Sequence, residues 1–409
     1  MVPNGWSNTC IDDNITFSGG AQPPREVFKF EPEEGYIRLI QIRDYKSDKF
    51  ITYVPKKLAK KFCTADDVMI GRYGPPIFQI LRGIEGAYNV ALIKAIPKSG
   101  VDKEFMYYFL KRDPLLRVIE SFSQRTSGQT GIEMDVLKAY PMHLPPLPEQ
   151  RKIAQVLSTW DRGIATTEKL IDASKQQKKA LMQQLLTGKK RLVDPETGKA
   201  FEGAWEEVKL ESHINLLSGH AFKSSEFEKD SDYKLLRGIN ITRGALRWGE
   251  EQTFSWTQLN GFEKYLLSVG DIVISMDGSL VGRNYALITE NNHEPMLLVQ
   301  RVARIRCKKT LNNNYLLQQI ASDRFKAYVD AVKTVTAIPH ISAKDIKHFI
   351  ISMPPVKEQQ KIASVLTAAD KEIELLEAKL VHFKQEKKAL MQQLLTGKRR
   401  VKVDEDIAA

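Results

Sequence analysis

"LPPLPEQRKIAQVLSTWD" (Leu144–Asp161) returns as "MPPVKEQQKIASVLTAAD" (Met353–Asp370), 209 positions further along a chain of 409 residues. At the same offset, "KKALMQQLLTGK" (Lys178–Lys189) recurs letter for letter as Lys387–Lys398. A gapless block of nearly fifty residues is therefore duplicated, and such a repeat is read before anything else. Apolar residues in the first copy fall at Ile153, Leu157, Trp160, Ile164, Ile171, Leu181 and Leu185, with Thr167, Ser174 and Lys178 filling the remaining seam positions. The second copy runs Ile362, Leu366, Ala369, Ile373, Leu376, Leu380, Phe383, Lys387, Leu390 and Leu394. The 4-3-4-3 spacing is a heptad seam, which needs a second helix to cover it. Lys178 and Lys387 interrupt the two seams at matching places and are expected to fix register.

The ends are marked as well. Pro148 and Glu149 suit a first helical turn, where a missing N–H and a negative charge are favourable. Gly188 and Gly397 suit a left-handed stop. The spacing predicts a helix over Glu149–Thr187, about 58 Å long at roughly 1.5 Å per residue, and an equivalent one in the second copy. Lys189–Arg191 read as solvated cations at a carbonyl end. Two such helices in one chain are expected to lie antiparallel, seam to seam, in a pseudo-two-fold arrangement with a domain at either end.

Outward from the helices, the two preceding stretches resemble each other weakly. "YIRLIQIRDY" (Tyr36–Tyr45) sits like "YKLLRGINIT" (Tyr233–Thr242), and "DDVMIGRYG" (Asp66–Gly74) like "GDIVISMDG" (Gly270–Gly278). "YNVALIKAI" and "VQRVARIRC" each read as a strand. "KEFMYYFLKRDPLLRVIESF" and "NNYLLQQIASDRFKAYVDAV" each read as one amphipathic helix. The fold class is α+β: two mixed α/β domains separated by two long antiparallel coiled-coil helices. The expected boundaries are 1–147, 148–190, 191–353 (a linker and the second domain), 354–400, and a tail over 401–409. Apolar and turn positions are shared between the domains, whereas the polar loop residues differ. Two copies of one scaffold with different loops point to two recognition tasks.

The net charge is +11, divided as +3, +5, +1 and +2 over residues 1–144, 145–200, 201–353 and 354–409. Any nucleic-acid contact by the nearly neutral domains must use local patches. Cys10, Cys63 and Cys307 are widely spaced and fit a reducing compartment with structural thiols. No signal peptide, membrane span, phosphate-binding glycine loop or His-Glu-x-x-His is legible, and "GPPIF" (Gly74–Phe78) reads as a turn. An enzyme is not expected.

"LPPLPEQRKIAQVL", "MPPVKEQQKIASVL" and the twin "KKALMQQLLTGK" resemble the specificity subunit of type I restriction–modification systems, over essentially the whole chain. The resemblance implies a non-catalytic subunit with two target-recognition domains, each reading one half of a split site in double-stranded DNA. It implies two modification subunits and translocating restriction subunits as partners. It places no cofactor on this chain and S-adenosylmethionine on the modification subunit, which methylates adenine. The setting implied is the cytoplasm of a bacterium or archaeon, with no membrane. The alternative is a coiled-coil scaffold bridging protein partners without DNA readout.

Base edges in the major groove call for Arg, Asn and Gln, and phosphates for Lys, Arg, Ser and Thr. In the first domain such residues are Ser18, Gly19 and Gln22, then Arg43 and Tyr45, then Arg72 and Tyr73. A later loop adds Arg125, Thr126, Ser127 and Gln129. In the second they are Ser218, His220 and Lys223, then Asn240 and Arg243, then Met276, Asp277 and Ser279. Lys333, Thr334, Thr336 and His340 close that set. Gly19 and Gly219 also serve as backbone-fitting positions. Trp160 reads as seam core, and Trp6 and Trp205 as packing. Gln150, Lys152, Gln359 and Lys361 are candidates for docking partner subunits.

Overall fold

A computed structural model describes residues 3–126, 129–291 and 294–403. Its plan follows from the repeated helix starts. The long helices span Leu147–Leu185 and Val356–Leu394, 39 residues each. The first has the expected length, set two residues earlier, because Pro148 is accommodated inside the first turn, where its missing N–H costs nothing. After the two helices Gly188 and Gly397 take φ of +71° and +69°, the left-handed stop that glycine permits.

The chain folds as two units. One holds residues up to 168 together with those from 378 onward, and the other holds 169–377. Each unit thus takes one half of each long helix. In the first unit, Ser7–Cys10 pairs antiparallel with Pro141–Leu144, so the domain's first and last strands close on each other. A four-stranded antiparallel sheet has the order Ile15–Gly19, Leu92–Pro97, Val68–Gly71, Gln79–Leu81. A second has the order Tyr53–Pro55, Tyr36–Ile40, Gly86–Tyr88, Phe62–Cys63, with its middle pair parallel. The second unit repeats this plan. Glu206–Lys209 pairs with Ile350–Met353, and the main sheet runs Ile214–Ser218, Val302–Cys307, Ile272–Ser275, Tyr285–Leu287. A three-stranded sheet joins Ser255–Trp256, Tyr233–Leu236 and Met296–Leu298.

Each stretch read as a single helix is two. Lys103–Leu110 and Asp113–Phe122 are separated because Pro114 belongs in a first turn. Asn313–Ala321 and Asp323–Val332 are separated by Ser322, whose hydroxyl caps the second helix at Phe325 N–H. In each stretch read as a single strand a tight turn comes first, at 89–91 and at 299–301, and the strand begins only at Leu92 and Val302.

The seam positions are buried or half-buried along both helices. In the first unit, Ile153 and Leu157 from one long helix and Leu394 and Leu395 from the other enter one core with Ile15, Ile70, Phe105 and Leu137. In the second, Ile362, Leu366, Leu185 and Leu186 enter the corresponding core with Ile274, Tyr315 and Phe325. Trp160 lies edge-on to Phe383 at 5.4 Å. Two ion pairs join the antiparallel helices. Lys387 pairs with Asp161, whose other oxygen accepts from Tyr108 Oη at 2.7 Å. In the second unit Lys178 pairs with Asp370, which accepts from Gln318 Nε2 at 2.9 Å. Burial alone raises the Asp161 carboxyl, but the hydrogen bonds from Lys387 and Tyr108 overcome this and hold it below its ordinary value. Each interrupting lysine therefore meets an aspartate of the opposing helix at its seam position. The Cys63 thiol is pushed up to about 11 and that of Cys307 to about 12, in both cases chiefly by burial, as structural thiols are.

The motif that starts each helix works inward. Glu149 and Glu358 are almost wholly buried. Arg400 grips Glu149 through Nε and Nη2 at 2.6 and 2.7 Å, and Trp6 Nε1 donates to it at 3.1 Å. Arg191 grips Glu358 at 2.7 Å through both nitrogens, and Trp205 Nε1 donates at 3.1 Å. Arg191 is thus a bidentate partner and not a solvated terminal cation. Removing one member of a buried pair strands the other charge, at a cost of about 3–5 kcal/mol. Arg191→Ala is expected to lower stability by about 3 kcal/mol. Arg191→Met with Glu358→Gln, which leaves no buried charge, is expected to recover at least half of that loss. Urea unfolding of the three proteins checks both.

Candidate nucleic-acid interface

In both units the strand at the centre of the main sheet ends in a loop that a later segment closes. In the first unit, Val68–Gly71 runs into Arg72 and Tyr73. Ile132 N–H donates to Arg72 O at 3.2 Å, and Tyr73 bridges Gly131. The hairpin Gln124–Thr126 with Gln129–Gly131 leads into that contact. The side chains of Arg125, Thr126 and Gln129, and Ser127 altogether, lie outside the described residues. The Arg72 guanidinium stacks 5.3 Å from the Tyr73 ring. In the second unit, Ile272–Ser275 runs into Met276 and Asp277. Gly278 N–H donates to Pro339 O at 3.0 Å and Ile341 N–H to Met276 O at 2.9 Å. The loop 333–340 is held by its own polar groups. Thr334 Oγ1 meets His340 Nδ1 at 2.9 Å, Thr336 Oγ1 donates to Ile338 O at 2.7 Å, and Lys333 pairs with Asp330. The structure therefore brings together two loops that are distant in sequence, in each unit.

The second unit adds a concavity of about 630 Å³ beside this junction. Asp277 and Ser279 line it, and so do Arg237, Asn284, Gln300 and Arg301, which the sequence reading missed. Arg237 follows a strand end and lies 5.3 Å from the Phe254 ring. Gln300 and Arg301 fall in the tight turn that the continuous apolar run conceals. The signal available was a polar pair interrupting that run. Arg243 is exposed and its backbone bridges Tyr285, next to Asn284. Ser218 and Lys223 are exposed, with Lys223 paired to Glu226 at 3.4 Å.

Several expected contacts are occupied elsewhere. Asn240 is fully buried; its Oδ1 accepts from Arg237 N–H at 3.1 Å, and its amide donates to Arg247 and Gln252 carbonyls. It organises the loop and has no polar group left for a base. His220 is half-buried among Phe222, Phe262 and Tyr265, with centroids 4.9–5.2 Å away. Met276 packs on the core. Tyr45 is half-buried with its hydroxyl enclosed, and burial drives its phenol well above the ordinary range. Gly219 fits because any Cβ there would fall 2.1 Å from Val299 O, but its counterpart is Gly20, 1.9 Å from Asn89 O, while Gly19 faces open space. Ser18 accepts from Lys61 at 3.1 Å, Gln22 is exposed, and Arg43 lies 5.5 Å from the Phe50 ring.

Gln150 and Gln359 are not docking residues. Both are fully buried. Gln150 accepts from Asp102 N–H and donates to Gly100 and Pro145 carbonyls, all at 2.8–2.9 Å. Gln359 does the same with Asn312, Thr310 and Pro354. Each ties its recognition domain to a helix start. Lys152 and Lys361 are half-exposed. Among the described residues no cluster of three His, Cys, Asp or Glu is placed to hold a metal, and no helix is long and apolar enough to cross a membrane.

The sequence model of the type I restriction modification DNA specificity domain matches residues 3–175 and again 202–384. The chain belongs to this DNA specificity family. As a specificity subunit it is a non-catalytic, DNA-recognising component. The type I restriction enzyme MjaVIII specificity subunit of Methanocaldococcus jannaschii is 29% identical over 414 residues, covering 98% of this chain and 94% of that one. The EcoAI specificity subunit of Escherichia coli is 32% identical over 301 residues, covering 61% of this chain and 50% of its own length. The type I restriction–modification S subunit from M. genitalium shares the fold with a TM-score of 0.60 at 14% identity, over 96% of this chain and 97% of that one. None of these supports a protein-bridging scaffold.

The two domains of this specificity subunit hold their loops by one device with different atoms. Asp44 sits where Asn240 sits, accepting from Gln41 N–H at 3.2 Å, but its second oxygen is buried without a hydrogen-bond partner. Burial raises the Asp44 carboxyl, and neither the Gln41 amide nor Arg38 fully offsets this. A carboxyl raised in the folded state costs stability as pH rises above its ordinary value of 3.8. Asp44→Asn is expected to raise the unfolding midpoint at pH 7, with the gain vanishing below pH 3.8, checked by thermal unfolding across pH.

Proposed function

We propose that this chain reads a two-part site in duplex DNA, one half through each domain, and directs adenine methylation and restriction by partner subunits. The observation that carries this reading is the repetition of one scaffold with different polar groups at equivalent turns. Arg72, Tyr73 and Ala91 in the first domain stand where Met276, Asp277 and Arg301 stand in the second, since Arg72 N–H and Met276 N–H donate to Ala91 O and Arg301 O, both at 2.8 Å. A shared frame with unlike side chains suits two unlike half-sites.

The residues we assign to DNA in the first domain are Ser18, Gly19, Gln22, Arg43, Arg72 and Tyr73, with the loop at 125–129. In the second they are Ser218, Lys223, Arg243, Asp277 and Ser279, with the loop at 333–340. Residues 1–147 and the domain within 191–353 form the two readers, and 148–190 and 354–400 the helical spacers. Two modification subunits, carrying S-adenosylmethionine, dock on the outer helix faces near Lys152 and Lys361, and restriction subunits complete the complex. The MjaVIII and EcoAI relatives are named as subunits of type I restriction enzymes, which supports partners of this kind.

The test is an exchange of residues 201–353 for the equivalent segment of a relative with another site, followed by mapping of modified adenines in cells. One half of the methylated motif is expected to change, with the other half and the spacing retained. A change in both halves, or a map indifferent to this chain, would overturn the two-reader assignment.

A further inference from the structure

Arg301 occupies a backbone conformation that arginine rarely takes. It is the third residue of the turn Val299–Val302, closed by Val302 N–H on Val299 O at 3.3 Å, and its φ is +66°. Glycine or asparagine is the ordinary choice there. The only other non-glycine residue with positive φ among those described is Phe78, which is buried in the core of the first unit. Arg301 has no such packing reason, as its side chain is 62% exposed. Strain kept at an exposed polar residue points to a role outside the fold.

The side chain is also aimed. Arg301 Nη1 donates to Asp277 Oδ2 at 3.0 Å, and the Asp277 carboxylate is itself only 21% exposed. Asp277 is fixed in turn, because the adjoining Met276 and Gly278 amides bond to Arg301 O and Pro339 O. One edge of the guanidinium is thereby held while the rest stands free at the rim of the concavity that Arg237, Gln300 and Ser279 line. A phosphate contact needs only a cation, which a flexible lysine supplies as a point charge. A guanidinium oriented by a carboxylate, on a strained turn, is suited to a planar pair of acceptors. In duplex DNA that pair is O6 and N7 of guanine. The first domain has Ala91 at this position.

We infer that Arg301, oriented by Asp277, reads a guanine in the half-site assigned to the second domain. This rests on the two-reader function proposed above. The test uses the assembled complex with its modification subunits. Its affinity is measured for duplexes substituted at each position of both half-sites, across a range of salt. Arg301→Ala and Arg301→Gly are expected to lose about 5- to 150-fold of discrimination at a single G·C pair, the range of one bidentate contact. Discrimination in the other half-site should persist. Arg301→Gly also relieves the backbone, so an unfolding midpoint at or above wild type separates lost readout from lost fold. Arg301→Lys should restore affinity more than discrimination, and Asp277→Asn should weaken discrimination at the same base pair.

Uniform weakening across all sequences, with a shallower salt dependence, would make Arg301 a phosphate contact and overturn the inference. Unchanged discrimination in Arg301→Ala would overturn it as well. Failure of the wild-type complex to distinguish any duplex would instead overturn the two-reader function, and the inference with it.

Discussion

Two buried carboxylates govern the way this chain is put together. Glu149 and Glu358 begin the long helices, and each is stranded in an apolar setting unless an arginine from beyond the end of the other helix reaches it. A buried carboxylate without a partner costs several kcal/mol, whereas a bidentate guanidinium with an indole N–H satisfies both oxygens. The consequence is topological. The first domain is complete only when Arg400 has arrived from the far end of the sequence, and the second carries its own Arg191 on the segment that enters it. The gapless match within the repeat is what such interlocking needs, because glutamate, seam and arginine keep one spacing in both copies.

The glutamine next to each glutamate extends the same logic. Gln150 and Gln359 each satisfy a helix-capping amide and two carbonyls where a recognition domain meets its helix start. Farther along, Asp161 and Asp370 each join a lysine of the opposing helix to a polar group of the domain, Tyr108 in one case and Gln318 in the other. Helix pairing and domain placement are therefore a single polar network in each unit. Buried polar networks of this kind specify one arrangement more sharply than an apolar seam, which tolerates sliding. The weak middle of the first seam, at Thr167, Ser174 and Lys178, is compatible with a fixed register for this reason.

What was legible in the sequence was periodic or terminal. Heptad spacing, a proline in the first turn and a glycine after the last are local signals, and they placed both helices to within two residues. Turns inside apolar runs were not legible. "VQRVARIRC" alternates like a strand, and its local signal, the polar pair Gln300-Arg301, does not by itself tell a turn at Val299–Val302 from solvent-facing strand positions. The same blindness hid Arg237. Burial of polar residues misled in the opposite direction. Gln150, Gln359 and Asn240 read as surface groups because glutamine and asparagine usually are, yet each has its side-chain amide fully engaged inside the protein. Gly219 does fit a close backbone approach, but in the first domain the position that does so is Gly20 and not Gly19, as the approach of Asn89 shows.

An internal repeat offers a way to separate these cases without any relative. Glu149 and Glu358, and Gln150 and Gln359, are identical polar residues that sit inside and hold the scaffold, since both units face the same packing problem there. Residues at equivalent turns that differ, such as Tyr73 against Asp277 or Ala91 against Arg301, are released from that problem. Asp44 against Asn240 shows the boundary of the rule. Both are buried loop organisers, and the difference between them appears as an oxygen without a hydrogen bond in the first domain where the second has a donating amide. Divergence at a buried position is visible as an unsatisfied atom. Divergence at an exposed one, as at Arg301, leaves a side chain held by one neighbour and open on its other edge, which is the condition for reading something outside the fold.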